Sequence, residues 1–155
     1  MAGKLLADIK QSKPFQHLEE EALLNLMRTA DALAHEGEVF FEQHGISHAQ
    51  YNVLRILRGA GPEGLTCGEI ANRLINRDPD ITRLLDRLEK RGLAQRSRES
   101  KDRRVVISRI TRAGSELLAT LDAPTAELNK KLLGHLSQKD LRQLIELLER
   151  ARERA

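Results

Sequence analysis

The residues of this chain best suited to bind something are its arginines. Across residues 79–91, Ile81, Leu84, Leu85 and Leu88 recur at the three- and four-residue steps of one helix face. Thr82, Arg83, Asp86, Arg87 and Lys90 fall on the other face. A guanidinium can pair in a fork with guanine O6 and N7, and a threonine hydroxyl can meet a base edge. In a helix laid into a major groove, the N-terminal residues lie nearest the bases. Thr82, Arg83 and Arg87 are therefore the candidate readers. Asp80 is the awkward neighbour, because phosphates repel a carboxylate. It has three possible uses: complementing the helix N-terminus, accepting from cytosine N4, or orienting Arg83. Taken alone, this helix also reads as an amphipathic helix with an ordinary charged face.

A second cluster follows. Arg98, Lys101, Arg103 and Arg104 sit in one polar run between two short extended segments, residues 93–97 and 105–110. That pattern predicts a hairpin with a long charged tip. Like charges gathered there repel one another at low salt. They make sense against a phosphate-lined minor groove, whose negative potential attracts arginine. Asp102, beside Arg103, is expected to hold the wing's shape through a local ion pair.

The elements that must carry these clusters are legible from period and caps. Residues 18–43 read as one long helix, with Leu18, Ala22, Leu26, Ala30, Leu33 and Phe40/Phe41 on its apolar side. Gly45 can end it in a left-handed cap. Ser47 with Gln50, and Thr66 with Glu69, are capping-box pairs. They open helices expected to run to about Gly59 and Ile75, separated by the turn segment 59–64. Asp78-Pro79 reads as an N-cap followed by proline at the first helical position, and Gly92 closes that helix after Arg91. Thr111 caps a helix bearing Leu117, Leu118 and Leu121, which Pro124 is expected to kink or interrupt. Ser137, with Asp140 three residues on, starts a last helix carrying Leu141, Leu144, Leu147 and Leu148. The expected fold is mainly α: a winged helix-turn-helix over 47–114, with helical dimerisation regions at 1–46 and 115–155. At about 17 residues, the last helix cannot stand alone, and a second copy of the chain is the natural partner surface.

Composition bounds the rest. The chain has 155 residues, about one domain's worth, with 40% apolar and 32% charged residues and a net charge of +3. Residues 73–112 hold 13 basic and 6 acidic side chains, net +7, whereas residues 1–72 are net −4 and residues 113–155 are neutral. A basic block on an otherwise non-sticky body points to a local polyanion site, or to a solvated Arg-rich face. Aromatics are 3% with no Trp, which argues against modules that stack single-stranded bases. One cysteine, Cys67, excludes a disulfide framework and a Cys-cluster zinc site. No stretch approaches the roughly 18 apolar residues of a membrane span, and no signal-peptide pattern opens the chain, so a cytoplasmic, nucleoid-associated setting is expected. No catalytic triad spacing, phosphate loop, metal motif or carboxylate pair stands out, so neither an enzyme nor a cofactor is expected.

The run Ile81-Thr82-Arg83-Leu84-Leu85-Asp86-Arg87-Leu88-Glu89-Lys90-Arg91-Gly92-Leu93, then Asp102-Arg103-Arg104, then Ile110-Thr111 with Gly114, resembles the MarR family of transcription regulators. The resemblance covers residues 50–114 or so. It implies a homodimer whose N- and C-terminal helices interlock over a palindromic operator. It also implies Arg103 inserted in the minor groove, and release by an aromatic or phenolic effector bound between the dimer helices and the winged domain. Tyr51 and Arg55, four residues apart, are the candidate effector-binding pair, by stacking and by carboxylate pairing; packing with a surface ion pair is the alternative. Ser108 departs from the family, standing where an apolar residue is usual, and a less firmly packed wing is expected. Cys67 reads either as a small packing residue or as a thiol sensor at a helix N-terminus. His44 and His48, with Glu42, read as surface or hinge residues or as a zinc-responsive site, though Gly45 breaks the helix between them. A protein-interaction module that uses the winged fold without DNA is the alternative from another class.

Overall fold

A computed structural model describes residues 3–77, 80–99 and 101–153. The chain divides into two units, residues 1–45 and 46–155. In the first unit, the short helix α1 (Leu5–Asp8) is followed by α2 (Leu18–Gln43). Glu19, Glu20 and Glu21 stand in the first turn of α2, where the helix dipole favours negative charge. Gly45, at φ 74°, takes the left-handed conformation that ends the helix. Most of the α2 apolar stripe faces solvent: Leu18 is 81% exposed, and Leu23, Leu26 and Met27 are also exposed.

The second unit is built around α3 (His48–Ala60), whose Val53, Leu54 and Leu57 are fully buried. Its capping box is present as expected: the Gln50 N–H donates to Ser47 Oγ and the Ser47 N–H to Gln50 Oε1. A single 3-10 turn (Gly61–Glu63) leads to α4 (Cys67–Arg73), opened by the Thr66–Glu69 capping box. This helix ends two residues before Ile75, which is exposed. Next comes α5 (Ile81–Lys90), with Ile81, Leu84, Leu85 and Leu88 buried against the body. Its N-cap is Asp80 rather than Asp78, because the Asp80 carboxylate is the one that reaches the Arg83 N–H. Asp78 and Pro79 lie outside the described residues.

Strands β1 (Ala94–Arg98) and β2 (Val106–Ile110) pair antiparallel, with Ala94 opposite Ile110 and Arg98 opposite Val106. A bridge from Leu65 to Ser108 adds a third backbone to the sheet, with N–H···O distances of 2.8 and 2.9 Å. Ser108 is 1% exposed and lies at this junction, where a Cβ on Gly64 would come within 2.5 Å of its carbonyl oxygen. Gly64 is what permits this close backbone approach, and the Ser108 side chain is buried beside it. Helix α6 (Arg112–Leu133) is capped by Thr111, whose hydroxyl also donates to Gly92 O. Leu118 and Leu121 of α6 are buried, and α6 packs on α3. Pro124 does not interrupt it: α6 continues for nine residues beyond, since the packed turns before the proline hold the helix through one lost hydrogen bond. The last helix, α7 (Gln138–Arg152), buries no residue in the single chain, and Ile145 and Leu147 are 54% and 51% exposed.

Candidate nucleic-acid interface

Packing Leu84, Leu85 and Leu88 inward turns Thr82, Arg83 and Arg87 outward, and all three are exposed. The Asp80 cap locks the first turn of α5 through a 3.0 Å bond from the Arg83 N–H. Asp80, Arg83, Leu84 and Arg87 line one shallow open groove of about 210 Å³. Among the described residues, the Arg83 and Arg87 guanidiniums have no protein partner. Two unpaired forks one helical turn apart on one exposed helix face suit a run of base edges and phosphates.

The four tip cations separate into two kinds. Arg98 donates from Nη1 to the Arg103 carbonyl at 2.6 Å, so its fork staples the turn. The ion partner of Asp102 is Arg104, not Arg103: its Oδ1 accepts from the Arg104 N–H at 3.0 Å and from Nε at 3.3 Å. The turn geometry is the reason, because the Asp102 carboxylate folds over the next-but-one peptide, as aspartates at turns do. Lys101 and Arg103 are exposed and, among the described residues, unpaired.

Three arginines with structural work were not singled out by motif or spacing. Arg96 on β1 reaches back to α5. Its Nη2 lies 2.5 Å from Asp86 Oδ1 and 3.1 Å from Glu89 Oε1, and its backbone N–H donates to Glu89 Oε2 at 2.9 Å. These bonds from the Arg96 side chain, and then from its backbone, hold the Glu89 carboxyl below the usual range. Arg109 on β2 donates to the Pro62 carbonyl at 2.7 Å and to Ser97 Oγ at 2.9 Å, tying the wing to the turn after α3. Arg58 on α3 grips Asp122 of α6 with two bonds of 2.9 and 3.0 Å. The signal for Arg96 was available: a period of two puts it on the same strand face as the buried Ala94, an unusual place for a charge.

Other candidate residues lie apart. Tyr51 is buried on α3 and Arg55 exposed, the latter donating to Asn52 Oδ1 at 3.4 Å. Cys67 opens α4, partly exposed and as a free thiol. His44 caps the end of α2 with Nδ1 2.8 Å from Phe40 O, and His48 opens α3. Among the described residues, no three His, Cys, Asp or Glu gather where they could hold a metal ion. No described helix is long and apolar enough to cross a membrane.

A family model described as MarR family matches residues 46–106. The chain is 31% identical, over 71% of its length and 70% of the relative's, to the HTH-type transcriptional regulator YkoM of Bacillus subtilis. It is 44% identical to a MarR transcription factor from Planctomyces limnophilus of known structure (TM-score 0.68), over 87% of this chain and 98% of that one. Sco3205 of Streptomyces coelicolor, a MarR-family regulator solved in complex with DNA, shares the fold at 22% identity (TM-score 0.79), over 92% of both chains.

Proposed function

Since this chain belongs to the MarR family and is a DNA-binding transcriptional regulator of that type, we propose that it works as a homodimer on a palindromic operator. Each copy lays α5 in a major groove and rests the hairpin tip against the neighbouring minor groove. The observation that carries this reading is the set of unpaired cations on one helix face and one hairpin tip: Arg83, Arg87, Lys101 and Arg103. Thr82 and Arg83 read base edges, and Arg87 meets either a base or a phosphate. Lys101 and Arg103 meet the backbone and minor groove. Arg98, Arg104 and Asp102 shape the tip, and Asp80 acts through the cap that orients Arg83. The exposed leucines of α2 and the uncovered ridge of α7 supply apolar surface for a second copy. Regions 1–46 and 115–155 then form the dimer, and 47–114 the DNA-binding part. A two-fold pair sets the half-sites about 10 bp apart.

Small aromatic acids are the proposed releasing ligands, with Tyr51 and the exposed Arg55 as the residues to test first. The protein acts in the cytoplasm as a repressor, without catalysis and without a cofactor. The test is selection of duplexes from a randomised pool, followed by anisotropy at two salt concentrations against excess unrelated duplex. Recovery of inverted repeats bound by a dimer supports the reading. Failure to select any duplex, with a protein partner retained by an Arg83/Arg87/Arg103 alanine variant, would make it an interaction module instead.

A further inference from the structure

Helix α5 runs on into the hairpin through Arg91, Gly92 and Leu93, a link whose Gly92 and Leu93 N–H groups bond back to the Glu89 and Leu88 carbonyls. Strands advance about 3.4 Å per residue, so the hairpin tip stands roughly 20 Å from it. A 5° rotation at Gly92 therefore moves the tip by ~2 Å, more than a directional hydrogen bond tolerates. The Leu65 bridge and the Arg109–Pro62 bond fix the hairpin to the turn after α3; a contact from β1 to α5 itself would set the angle between the helix and the tip directly.

Arg96 is placed to do it. It is the middle residue of β1, opposite the small Ser108, and spends its donors on α5. Asp86 and Glu89 lie three residues apart on the same helix face, so one guanidinium reaches both. Glu89 also takes the Arg96 N–H, fixing the strand backbone as well as the side chain. At 23% side-chain exposure, with its fork on two carboxylates, Arg96 is not among the residues that line the groove of Asp80, Arg83, Leu84 and Arg87. The bridge has a second effect: it neutralises two carboxylates on the helix assigned to meet phosphates.

We infer that Arg96 is a positioning residue for DNA binding, setting the angle between α5 and the wing through Asp86 and Glu89 without touching DNA. The inference rests on the DNA reading given above. Its test uses the full chain and a duplex recovered by selection with the unaltered protein. Two carboxylates near phosphates should by charge alone weaken binding, so D86N/E89Q would tighten it if Arg96 had no positioning role. Loss of the brace predicts the opposite, a weakening of about tenfold, the low end of one lost directional contact. In a cycle of R96M and R103A, R103A should cost about tenfold alone but less than about twofold in the R96M background, since a swung wing no longer delivers Arg103. Thermal melts check that each variant is folded, and D86N/E89Q keeps the guanidinium stem should R96M not fold. Binding by D86N/E89Q equal to or tighter than that of the unaltered protein overturns the inference, as do costs that multiply in the cycle. Failure of the unaltered protein to select any duplex overturns the DNA reading, and the inference with it.

Discussion

Replacing Arg103 by alanine should change how binding responds to salt, by an amount that follows from which cations are free. In each copy, Arg87, Lys101 and Arg103 are exposed and unpaired among the described residues, and Arg83 is assigned to a base edge. If those three meet phosphates, a dimer displaces six counterions, and log K falls against log salt with a slope of about −5.4. Arg103→Ala removes one contact per copy and brings the slope to about −3.6. Between about 50 and 200 mM salt, a fourfold rise, the affinity gap between variant and unaltered protein should then shrink about tenfold. Arg83→Ala is the control: it should leave the slope alone and relax preference at one base pair per half-site by about 1–3 kcal/mol. The assay is anisotropy of a labelled duplex titrated at four or more salt concentrations, with each variant's dimer content fixed by sedimentation. Parallel lines for Arg103→Ala and the unaltered protein would refute the placement of Arg103 against the backbone.

Three further outcomes test the scaffold. The Arg58 fork holds the Asp122 carboxyl below its usual range, so its stabilisation is complete above the ordinary carboxyl pKa and is lost as pH falls through the lowered value. Asp122→Asn should therefore cost less than about 1 kcal/mol at neutral pH, both groups being well exposed, and urea curves for the two proteins should converge in strong acid; a gap unchanged in acid would refute the ion-pair origin. Gly114→Ala should destabilise by about 1–3 kcal/mol despite alanine's better helix propensity, because the new Cβ would meet the Leu93 carbonyl oxygen at 2.2 Å; an unchanged or higher melting temperature would show that the α6 start can shift. Ser108→Ala deletes a buried hydroxyl with no partner among the described residues, so stability should hold or rise by up to about 1 kcal/mol, and a clear loss by thermal melt would show the hydroxyl to be bonded.

The caps show why so much was readable. Ser47 with Gln50, Thr66 with Glu69, Thr111 with Gly114 and Ser137 with Asp140 each close within three residues, and the structure holds all four. A bond between neighbours in sequence needs only local backbone geometry, which residue type and spacing already specify. The stripe Ile81, Leu84, Leu85, Leu88 is likewise local, and its burial decides which way Arg83 and Arg87 point. The start of α5 shows the limit of that reading. Asp78 and Asp80 are both of a type that caps helices, and residue type alone does not say which carboxylate takes the Arg83 N–H; in the structure it is Asp80. Pro124 makes the same point, since the packing of Leu118 and Leu121 against the body sustains a helix that local rules would break.

The sequence by itself determined the order of the elements from residue 18 onward, most helix starts to within a few residues, the outward face of α5 and the concentration of charge in the hairpin, because each rests on period, capping or composition; it did not show the short α1 or the run of α6 past Pro124. Only the tertiary structure decided which charges are free to bind. Arg58 finds Asp122 across 64 residues and Arg109 finds Pro62 across 47. Arg96 closes on Asp86 and Glu89 only once the hairpin folds back on α5. An ion pair is a property of two positions in space, and the chain alone lists only the charges. The fold spends Arg58, Arg96, Arg98 and Arg109 on holding itself together, pairs the still exposed Arg104 locally with Asp102, and leaves Arg83, Arg87, Lys101 and Arg103 facing solvent, where a duplex can meet them.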